Sequence, residues 1–423
     1  MAELIHPREA VRLRVEHALT AEDVDLTTVQ GRERTEHLIE EVLNAYVAEA
    51  LNGQAPELSN DERAQLAREL RDEFIGLGAL AERLLSDEQA QEWMINGPHQ
   101  VFRDDGQRIA RVTSVDFEDD EQVRRFLDRL LEQVEGRHLD RVTPCIEARL
   151  PDGSRLSAAI PPVSSNGHVI CSIRLHKLIA TTLAELVKLR FLSRQAADFL
   201  RAAVRAEKNI VVSGRVSAGK TTLLNALGHA IPSAERVVLC ESSAELQLAD
   251  VLPNCVGYEA RLASNDGLGA ITLDDLIARA LRMNPHRLIV GECMEGETMA
   301  MLWGLATGHS GMTSVHGESA AHALQNLARF ALTSRRNIEA AQVHDWLRDI
   351  HIVVHCDRPR SFHEGEHQFE DRLVDEIVEV TGVEGQKMTL NPLFTGTGAN
   401  LQWAGTGPAY LPDLEQVGFE APQ

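Results

Sequence analysis

Apolar residues along the first 90 positions recur with the period of an α-helix. Three stretches show apolar residues three and four positions apart, namely 11–19, 32–51 and 61–77. This spacing places them on one face of a helix. We expect Asn60 and Asp61 to cap the third helix and the glycines at 76 and 78 to interrupt the pattern. The pattern predicts an N-terminal helical region over residues 1–78.

Residues 79–178 show a mixed pattern of short alternating runs and one amphipathic stretch. The run WMINGPHQVFRDDGQRIA (93–110) predicts two short strands around polar turns. Further along, the pattern predicts a helix, a hairpin with a Pro-Asp-Gly turn and another strand, at 121–134, 146–162 and 168–176. We therefore expect a small α+β domain here, followed by helices over 181–204.

From position 209 onward, short apolar runs alternate with helical stretches. The runs predict buried strands at 209–214, 236–241, 287–292 and 313–316. Apolar strands alternating with helices are typical of a doubly wound parallel sheet. We expect 349–356 to close this sheet, which gives an α/β domain over 186–358. A hairpin and a loop-like tail are predicted for 359–423.

Composition and charge narrow the class of protein. The 423 residues include 64 acidic and 42 basic side chains, a formal net charge of -22. This charge opposes non-specific nucleic-acid binding, so we expect no nucleic-acid partner. There is no apolar run of membrane-spanning length and no signal-peptide core, which predicts a cytoplasmic protein. The six cysteines form no Cys-x-x-Cys pair, which favours reduced thiols over a zinc site.

The stretch GRVSAGKTT (214–222) carries the clearest chemical signal. It satisfies G-x-x-x-x-G-K-[ST] between a predicted strand and a predicted helix. In such a loop backbone N–H groups surround the phosphates of ATP, the lysine reaches the β- and γ-phosphates, and the first hydroxyl holds Mg²⁺. The predicted binding residues are Gly214, Ser217, Ala218, Gly219, Lys220, Thr221 and Thr222.

Three further polar groups are candidates for catalysis. Glu292 ends an apolar strand, where it could polarise the attacking water or help Thr221 hold Mg²⁺; the alternative is a strand that merely ends at the surface. Glu241 and Glu245, four residues apart, either share one face of a turn or belong to a solvated acidic loop. His309 and His316 flank a glycine-rich turn, although histidines in such positions are more often structural.

Taken together and in this order, these motifs resemble those of the secretion and pilus-assembly ATPases. Among them, the chain is most similar to the CpaF-type ATPase of tight-adherence (Flp) pili. The resemblance extends over about residues 10–395 and includes MINGPHQV, ARLPDGSRLSAAIPP, SIRLH, YEARLASNDGLGAITLDDLIARALRMNPHRLIVGE and EIVEVTG. These stretches make it far more specific than a lone phosphate-binding loop.

The resemblance implies a RecA-like P-loop NTPase motor domain preceded by a small α+β domain and an N-terminal helical region. It implies a homo-hexamer at the cytoplasmic face of the inner membrane, attached through a platform protein, that hydrolyses ATP to assemble or retract a pilus or to drive a related secretion machine. It also assigns roles to residues. Glu241 and Glu245 fall in an acidic box, and His309 and His316 in a box that senses the γ-phosphate. Arg155 and Arg174 match arginines that reach over the phosphates.

The chain departs from the family pattern at several positions near the expected site. The acidic box has Ser242 where an aspartate is usual, and the stretch after Glu292 has Met294 and Glu295 where arginine and glycine are usual. Glu318 replaces an asparagine. Because one charge-stabilising group can be worth about 10²–10³ in rate, we expect slow rather than absent hydrolysis.

Three alternatives to a pilus motor stay open at this point. The first is the related ATPase of a type IV secretion (conjugation) system. The second is a catalytically weakened regulator that binds nucleotide, suggested by Ser242 and Met294. The third is a DNA translocase, which the net charge and the lack of a basic or aromatic-rich stretch disfavour.

Overall fold

A computed structural model divides the chain into two units, Met1–His176 and Lys177–Gln423. It describes residues 7–24, 29–53, 55–106, 108–132, 134, 136–176, 182–261, 263, 268–334, 338–363, 366–384 and 387–422. Parts of the predicted elements and motif stretches that fall in the gaps, such as 262 and 264–267, lie outside the described residues. Within the described part of the chain, no helix is both long and apolar enough to cross a membrane.

The first unit begins with helices that pack on one another. They are α1 (Pro7–Ala21), α2 (Val29–Leu51), α3 (Asn60–Arg71), a π-helical turn (Asp72–Gly76) and α4 (Leu77–Leu85). The apolar stripes of α1, α2, α3 and the π turn meet in a core that contains Val11, Leu43 and Phe74, whereas α4 packs Leu84 into the core of the sheet that follows. The sequence predicted a break at Gly76 and Gly78. This was wrong, because the π turn joins α3 to α4 and the chain stays helical through both glycines. The cap of α3 is Ser59, whose N–H donates to the Glu62 carboxylate at 2.8 Å.

The remainder of the first unit is a six-stranded antiparallel sheet with one helix. The elements are β1 (Glu92–Ile95), β2 (Val101–Asp104), β3 (Ile109–Arg111), α5 (Asp120–Leu131), β4 (Cys145–Arg149), β5 (Arg155–Ala159) and β6 (Ile170–Arg174). The strand order is β3-β2-β1-β6-β5-β4. Helix α5 buries Phe126 and Leu127 in the core shared with the sheet. The stretch predicted as two strands forms three, since the turn at 104–106 is followed by a further strand.

The second unit alternates helices and strands before ending in hairpins. Its first half contains α6 (Leu183–Lys188), α7 (Arg194–Arg205), β7 (Ile210–Gly214), α8 (Lys220–Gly228), β8 (Val237–Glu241), β9 (Cys255–Glu259), α9 (Leu273–Ala280), β10 (Arg287–Cys293) and α10 (Glu297–Ala306). Its second half contains β11 (Ser310–His316), α11 (Ala320–Leu332), α12 (Ala340–Trp346), β12 (Ile352–Asp357), β13 (Arg360–His363), β14 (Glu366–Phe369), β15 (Leu373–Glu384), β16 (Lys387–Thr395), β17 (Gln402–Trp403) and α13 (Leu411–Gln416).

One nine-stranded sheet, in the order β17-β16-β15-β12-β7-β11-β10-β8-β9, organises the second unit. The six strands from β12 to β9 are parallel, and apolar cores lie on both faces. This confirms the α/β fold class and the parallel sheet. Burial on both faces also explains why these strands are continuous apolar runs, because a strand with no solvent-facing side needs no alternating polar residues.

Two details of this sheet differ from the prediction. Strand β12 does not close it, because β15 pairs with β12 in antiparallel orientation and the C-terminal hairpin continues the same sheet. The edge at the other side is β9, which the apolar pattern missed because its residues are half-buried or exposed and include Gly257. The domain limits proposed from the sequence stay a prediction.

A buried ion pair ties three segments at one end of the parallel strands. Arg287, at the start of β10, is 3% exposed. Its Nε lies 2.5 Å from Oε2 of Glu235, and its Nη1 donates to Oγ of Ser310 at 3.0 Å. Removing one partner of a buried pair leaves the other charge without compensation.

We expect Glu235→Ala to lower the free energy of unfolding of the second unit by about 3–5 kcal/mol, since the Arg287 guanidinium would stay buried without its carboxylate. Denaturation can be followed by tryptophan fluorescence, because three of the four tryptophans (303, 346 and 403) lie in this unit. Asp345→Ala, which breaks an exposed pair with Arg348, is the control and should cost less than about 1 kcal/mol. Equal effects of the two substitutions would contradict a structural role for the buried pair.

Candidate functional site

The glycine-rich loop joins the end of β7 to the start of α8. Gly214 has φ 155°, and a Cβ there would lie 2.4 Å from the carbonyl oxygen of Cys356. Gly219 has φ 98°, and a Cβ there would lie 3.0 Å from the ring of Phe191. Both positions therefore require glycine. The loop leads into the N-terminus of α8, whose backbone N–H groups favour an anion.

The other predicted loop residues also lie in this turn. Ala218 is fully buried. Ser217 has a positive φ of 62°, and its carbonyl oxygen accepts a hydrogen bond from Nε of Arg372 at 2.8 Å. Thr221 and Thr222 are half-buried in the first turn of α8. The loop is thus held from outside by a side chain that the sequence motif does not include.

Lys220 is the charged centre of the site. It is 7% exposed, and its Nζ lies 3.4 Å from Oε1 of Glu292 and 3.2 Å from Nδ1 of His316. It also donates to the carbonyl oxygen of Arg215 at 3.3 Å. Nε2 of His316 lies 3.3 Å from the same oxygen of Glu292. Three groups predicted separately therefore form a closed triangle.

The proton positions in this triangle follow from the donors available. The ammonium of Lys220 can only donate, so Nδ1 of His316 accepts and Nε2 carries the proton that points to Glu292. Burial, reinforced by the charge of Lys220, lowers the pKa of His316 from its ordinary value. The imidazole is therefore neutral near pH 7, which this arrangement of donors requires.

Strand order explains why these residues meet. In the sheet, β11 lies between β7 and β10, and all three strands are parallel. His316 is the register partner of Gly214, while Glu292 lies near the end of β10. Parallel strands present their carboxyl ends at one edge of the sheet, where such folds bind ligands.

The acidic box uses its two glutamates in different ways. Glu245 approaches the P-loop, because its Oε2 accepts a hydrogen bond from Oγ1 of Thr221 at 3.2 Å. Glu241 is 4% exposed and accepts the backbone N–H groups of Glu245 and Leu246 at 2.9 and 3.0 Å. Burial raises the pKa of Glu241 to about 7. The first glutamate therefore shapes the turn that presents the second.

A third carboxylate, that of Glu259, belongs to this turn, and the sequence analysis did not predict it. It is the register partner of Glu241 on β9, and its Oε1 accepts the backbone N–H of Ala244 at 3.1 Å. Its charge is one of the groups that raise the pKa of Glu241. Spacing could not reveal it, because 18 residues separate it from Glu241; the resemblance of the YEAR stretch was the one signal present in the sequence.

His309 is not brought to this cluster. It precedes β11, whereas His316 ends that strand, so seven residues separate the two histidines along an extended chain. At about 3.3 Å a residue this is roughly 23 Å. Nδ1 of His309 contacts the carbonyl oxygen of Gly304 at 3.2 Å instead. Two histidines that flank one strand necessarily lie at its opposite ends.

The two predicted arginines lie in the first unit, on adjacent strands. Arg155 on β5 and Arg174 on β6 are direct register partners and both are exposed. Arg149 on β4 is the partner of Arg155 on its other side and is also exposed. Side chains directly opposite on antiparallel strands are about 5 Å apart at Cβ. The three strands therefore carry a row of guanidinium groups, of which the prediction included two.

The positions that depart from the family pattern lie around the triangle. Ser242 is exposed, and Met294 is 52% exposed. Glu297 closes the loop after β10, since its Oε1 accepts the backbone N–H groups of Met294 and Glu295 at 2.6 and 2.8 Å. Glu318 forms an ion pair of 3.4 Å with Arg215. The substitutions at 294 and 295 thus leave the backbone of the loop after β10 closed by the Glu297 carboxylate.

The residues present fit a nucleoside triphosphate and a divalent cation. The two obligatory glycines and the N-terminus of α8 provide a cradle for phosphates, and Lys220 provides a buried cation. The hydroxyl of Thr221 and the carboxylate of Glu245, 3.2 Å apart, are hard oxygen donors of the kind that Mg²⁺ prefers.

Comparison with known proteins identifies the family of the chain. The sequence model of the family described as "Type II/IV secretion system protein" matches residues 78–372. A protein of Mycobacterium tuberculosis named for conjugal transfer is 33% identical over 302 residues, covering 70% of this chain and 84% of that protein. Type IV secretion system protein VirB11 of Brucella abortus is 28% identical over 324 residues, covering 69% of this chain and 86% of its own length.

Among solved structures, the ATPase DotB of Legionella pneumophila aligns with 73% of this chain and 82% of its own, at 18% identity and a TM-score of 0.49. The family match covers well over half of the 423 residues. The mycobacterial relative is aligned over more than two thirds of its length. This chain therefore belongs to the type II/IV secretion system family of ATPases.

Proposed function

We propose that this protein hydrolyses ATP with Mg²⁺ and that hydrolysis powers a pilus-assembly or secretion machine. The observation that carries the proposal is the triangle of Lys220, Glu292 and His316 at the mouth of the glycine loop. A buried ammonium between a carboxylate and a neutral imidazole is poised to exchange those contacts for phosphate oxygens.

Each group of the triangle has a part in the proposed reaction. Lys220 neutralises charge on the β- and γ-phosphates. Release from Lys220 leaves Glu292 as a carboxylate that can orient and polarise the attacking water. His316 donates its Nε2 proton to Glu292 and accepts from Lys220 at Nδ1, so it would respond to the γ-phosphate when that ammonium turns to a phosphate oxygen. Thr221 and Glu245 would hold Mg²⁺, which supplies charge neutralisation across the phosphates when bound.

For the assembly, we propose a homo-hexamer that acts at the cytoplasmic face of the inner membrane through a platform protein. The Flp pilus is the machine favoured by the sequence stretches that resemble the CpaF-type ATPases. A type IV secretion system is the second candidate, because relatives of this chain are named for type IV secretion and conjugal transfer. A weakened nucleotide-binding regulator is the third, and Ser242 and Met294 support it.

The first test is the Mg²⁺-dependent ATPase rate of the purified protein across a concentration series. We expect the rate per protomer to rise with concentration as a ring assembles, and Glu292→Gln to lower it by about 100-fold or more, since the amide cannot accept a proton. Lys220→Ala should abolish tight ATP binding. A rate no higher than that of Glu292→Gln, in protein that binds ATP and assembles, would favour the regulator.

Arg155 and Arg174 are proposed to stabilise charge on the phosphates during hydrolysis. The support is the row of exposed guanidinium groups on β5 and β6 together with the family resemblance. We expect Arg174→Ala to lower kcat by about 100-fold while sparing assembly, because one charge-stabilising donor is lost. Arg111→Ala, an exposed arginine on β3 of the same sheet, is the matched control and should keep its rate. Equal rates for both variants would remove Arg174 from the proposed site.

We propose that Glu241 supports the turn of the acidic box (241–245) as a neutral carboxylic acid below about pH 7. Its pKa in the folded protein is about 7, above the ordinary value of 4.5, because burial disfavours the charge. The protonated form of Glu241 therefore contributes fully to the free energy of unfolding below about pH 4.5, and this contribution is lost as the pH rises through 7.

We expect Glu241→Gln to remove this pH dependence, since the amide keeps an acceptor for both backbone N–H groups and cannot ionise. The free energy of unfolding of the variant relative to wild type should rise by about 3 kcal/mol between pH 4.5 and pH 8. Denaturant titrations at a series of pH values measure this difference. Two parallel curves would show that Glu241 is already ionised throughout this range.

A further inference from the structure

The segment that follows His316 is attached to the P-loop strand by the main chain. The N–H of Gly317 donates to the carbonyl oxygen of Gly214 at 3.3 Å. On the opposite side, Nδ2 of Asn326 donates to the carbonyl oxygen of His316 at 2.8 Å. The position of the His316 ring over Lys220 therefore depends on how firmly residues 317–320 are held.

A buried serine and histidine lie directly beneath this attachment. Ser213, the residue before Gly214, is 0% exposed, and His355 on β12 is 2% exposed. The two are register partners, and Oγ of Ser213 lies 2.7 Å from Nδ1 of His355. Oγ of Ser213 also donates to the carbonyl oxygen of Ser319 in a longer contact of 3.5 Å.

The hydrogen-bond direction follows from the single proton of a hydroxyl. Both contacts of Ser213 are satisfied when Nδ1–H of His355 donates to Oγ of Ser213, since the hydroxyl then gives its single proton to Ser319. Burial lowers the pKa of His355, which favours the neutral ring, and the tautomer with its proton on Nδ1 is the one that satisfies both contacts of Ser213. The result is a relay of two bonds from β12, through the end of β7, to the residue that caps α11.

Glu376 completes the attachment from the neighbouring strand. It is the register partner of His355 on β15, and its Oε2 accepts the backbone N–H of Ala320 at 2.7 Å. Ala320 is the first residue of α11, where a carboxylate is favoured by the helix dipole. The start of α11 is therefore bonded to β7 and β15, the two strands on either side of β12, and the His316 segment lies between this anchor and the P-loop.

We propose that His355, together with Ser213 and Glu376, is a positioning residue for ATP hydrolysis, because it holds the segment that carries His316 against Lys220 and Glu292. The proposal rests on the ATPase function proposed above. Among the described residues, hydrogen bonds link His355 to the triangle through Ser213 and the 317–320 segment. Loss of its ring would leave the hydroxyl of Ser213 without its donor and would loosen the contact with Ser319.

A displacement of this kind should change the rate more than the affinity. Binding of ATP depends chiefly on Lys220 and the loop backbone, which His355 leaves intact. Hydrolysis depends on the relative placement of His316 and Glu292, and a shift of about 1 Å in a reacting group can lower the rate about 100-fold.

The test compares three variants in steady-state ATP hydrolysis. We expect His355→Leu to lower kcat by about 10- to 100-fold with KM for ATP within about threefold of wild type. His355→Asn should recover most of the rate, because an amide nitrogen can donate to Ser213 from near the position of Nδ1. His351→Leu is the matched control: His351 is a half-buried histidine that adjoins β12 at its other end and accepts the N–H of Asn209 at 3.1 Å. It should leave kcat unchanged.

Ser213→Ala removes the hydroxyl that links His355 to Ser319 and so tests the same relay. We expect it to lower kcat as His355→Leu does, and the double variant should be no slower than the slower single variant, because both substitutions break the same link. Additive losses would show that the two residues act independently and would overturn the proposed relay.

Amide hydrogen exchange at Gly317 and Ala320 separates this proposal from the proposed ATPase function. These amides are bonded to Gly214 and Glu376. We expect exchange at least tenfold faster in His355→Leu and wild-type exchange in His355→Asn and His351→Leu. This readout needs no turnover, so it tests the positioning even if wild type hydrolyses no ATP. Wild-type exchange at both amides, with unchanged kcat, in folded His355→Leu would overturn the proposal.

Discussion

The buried ammonium of Lys220 is the constraint on which the rest of the second unit depends. A cation that is 7% exposed requires compensating partners, which here are Glu292 and His316. Those partners arrive on two other strands, so the site exists only if β7, β11 and β10 are neighbours and parallel. The apolar cores on both faces of the sheet enforce that order, and catalytic geometry thus follows from packing.

The carboxylates around the site divide into those that face the P-loop and those that build its surroundings. Glu245 and Glu292 approach the P-loop residues Thr221 and Lys220. Four other acids accept backbone N–H groups of the surrounding turns and helix start: Glu241, Glu259, Glu297 and Glu376. This division makes the departures from the family pattern easier to understand. Loss of an aspartate at Ser242 removes a charge, yet the loop keeps its shape because Glu241 and Glu259 support it from below.

Much of the fold could be predicted because its signals are local. Helical periodicity indicated α1–α3 and α5, and uninterrupted apolar runs indicated the buried strands. The failures share a physical cause. The glycines at 76 and 78 read as a break because local propensity ignores the packing that carries the helix through. The sequence did not reveal strand β9 or the interior position of β12, because which strand forms an edge depends on pairing partners far away in sequence.

By itself, the sequence determined the phosphate-binding loop and the α/β class of the second unit. The loop is contiguous, so its glycines, lysine and threonine carry their meaning together, and strand–helix alternation leaves few sheets to choose from. Only the tertiary structure decided which distant polar groups meet. It brought His316 and not His309 to Lys220, added Glu259 to the acidic loop and set His355 beneath Ser213. Strand adjacency decides these contacts, and adjacency is set by the whole core rather than by any short run of residues.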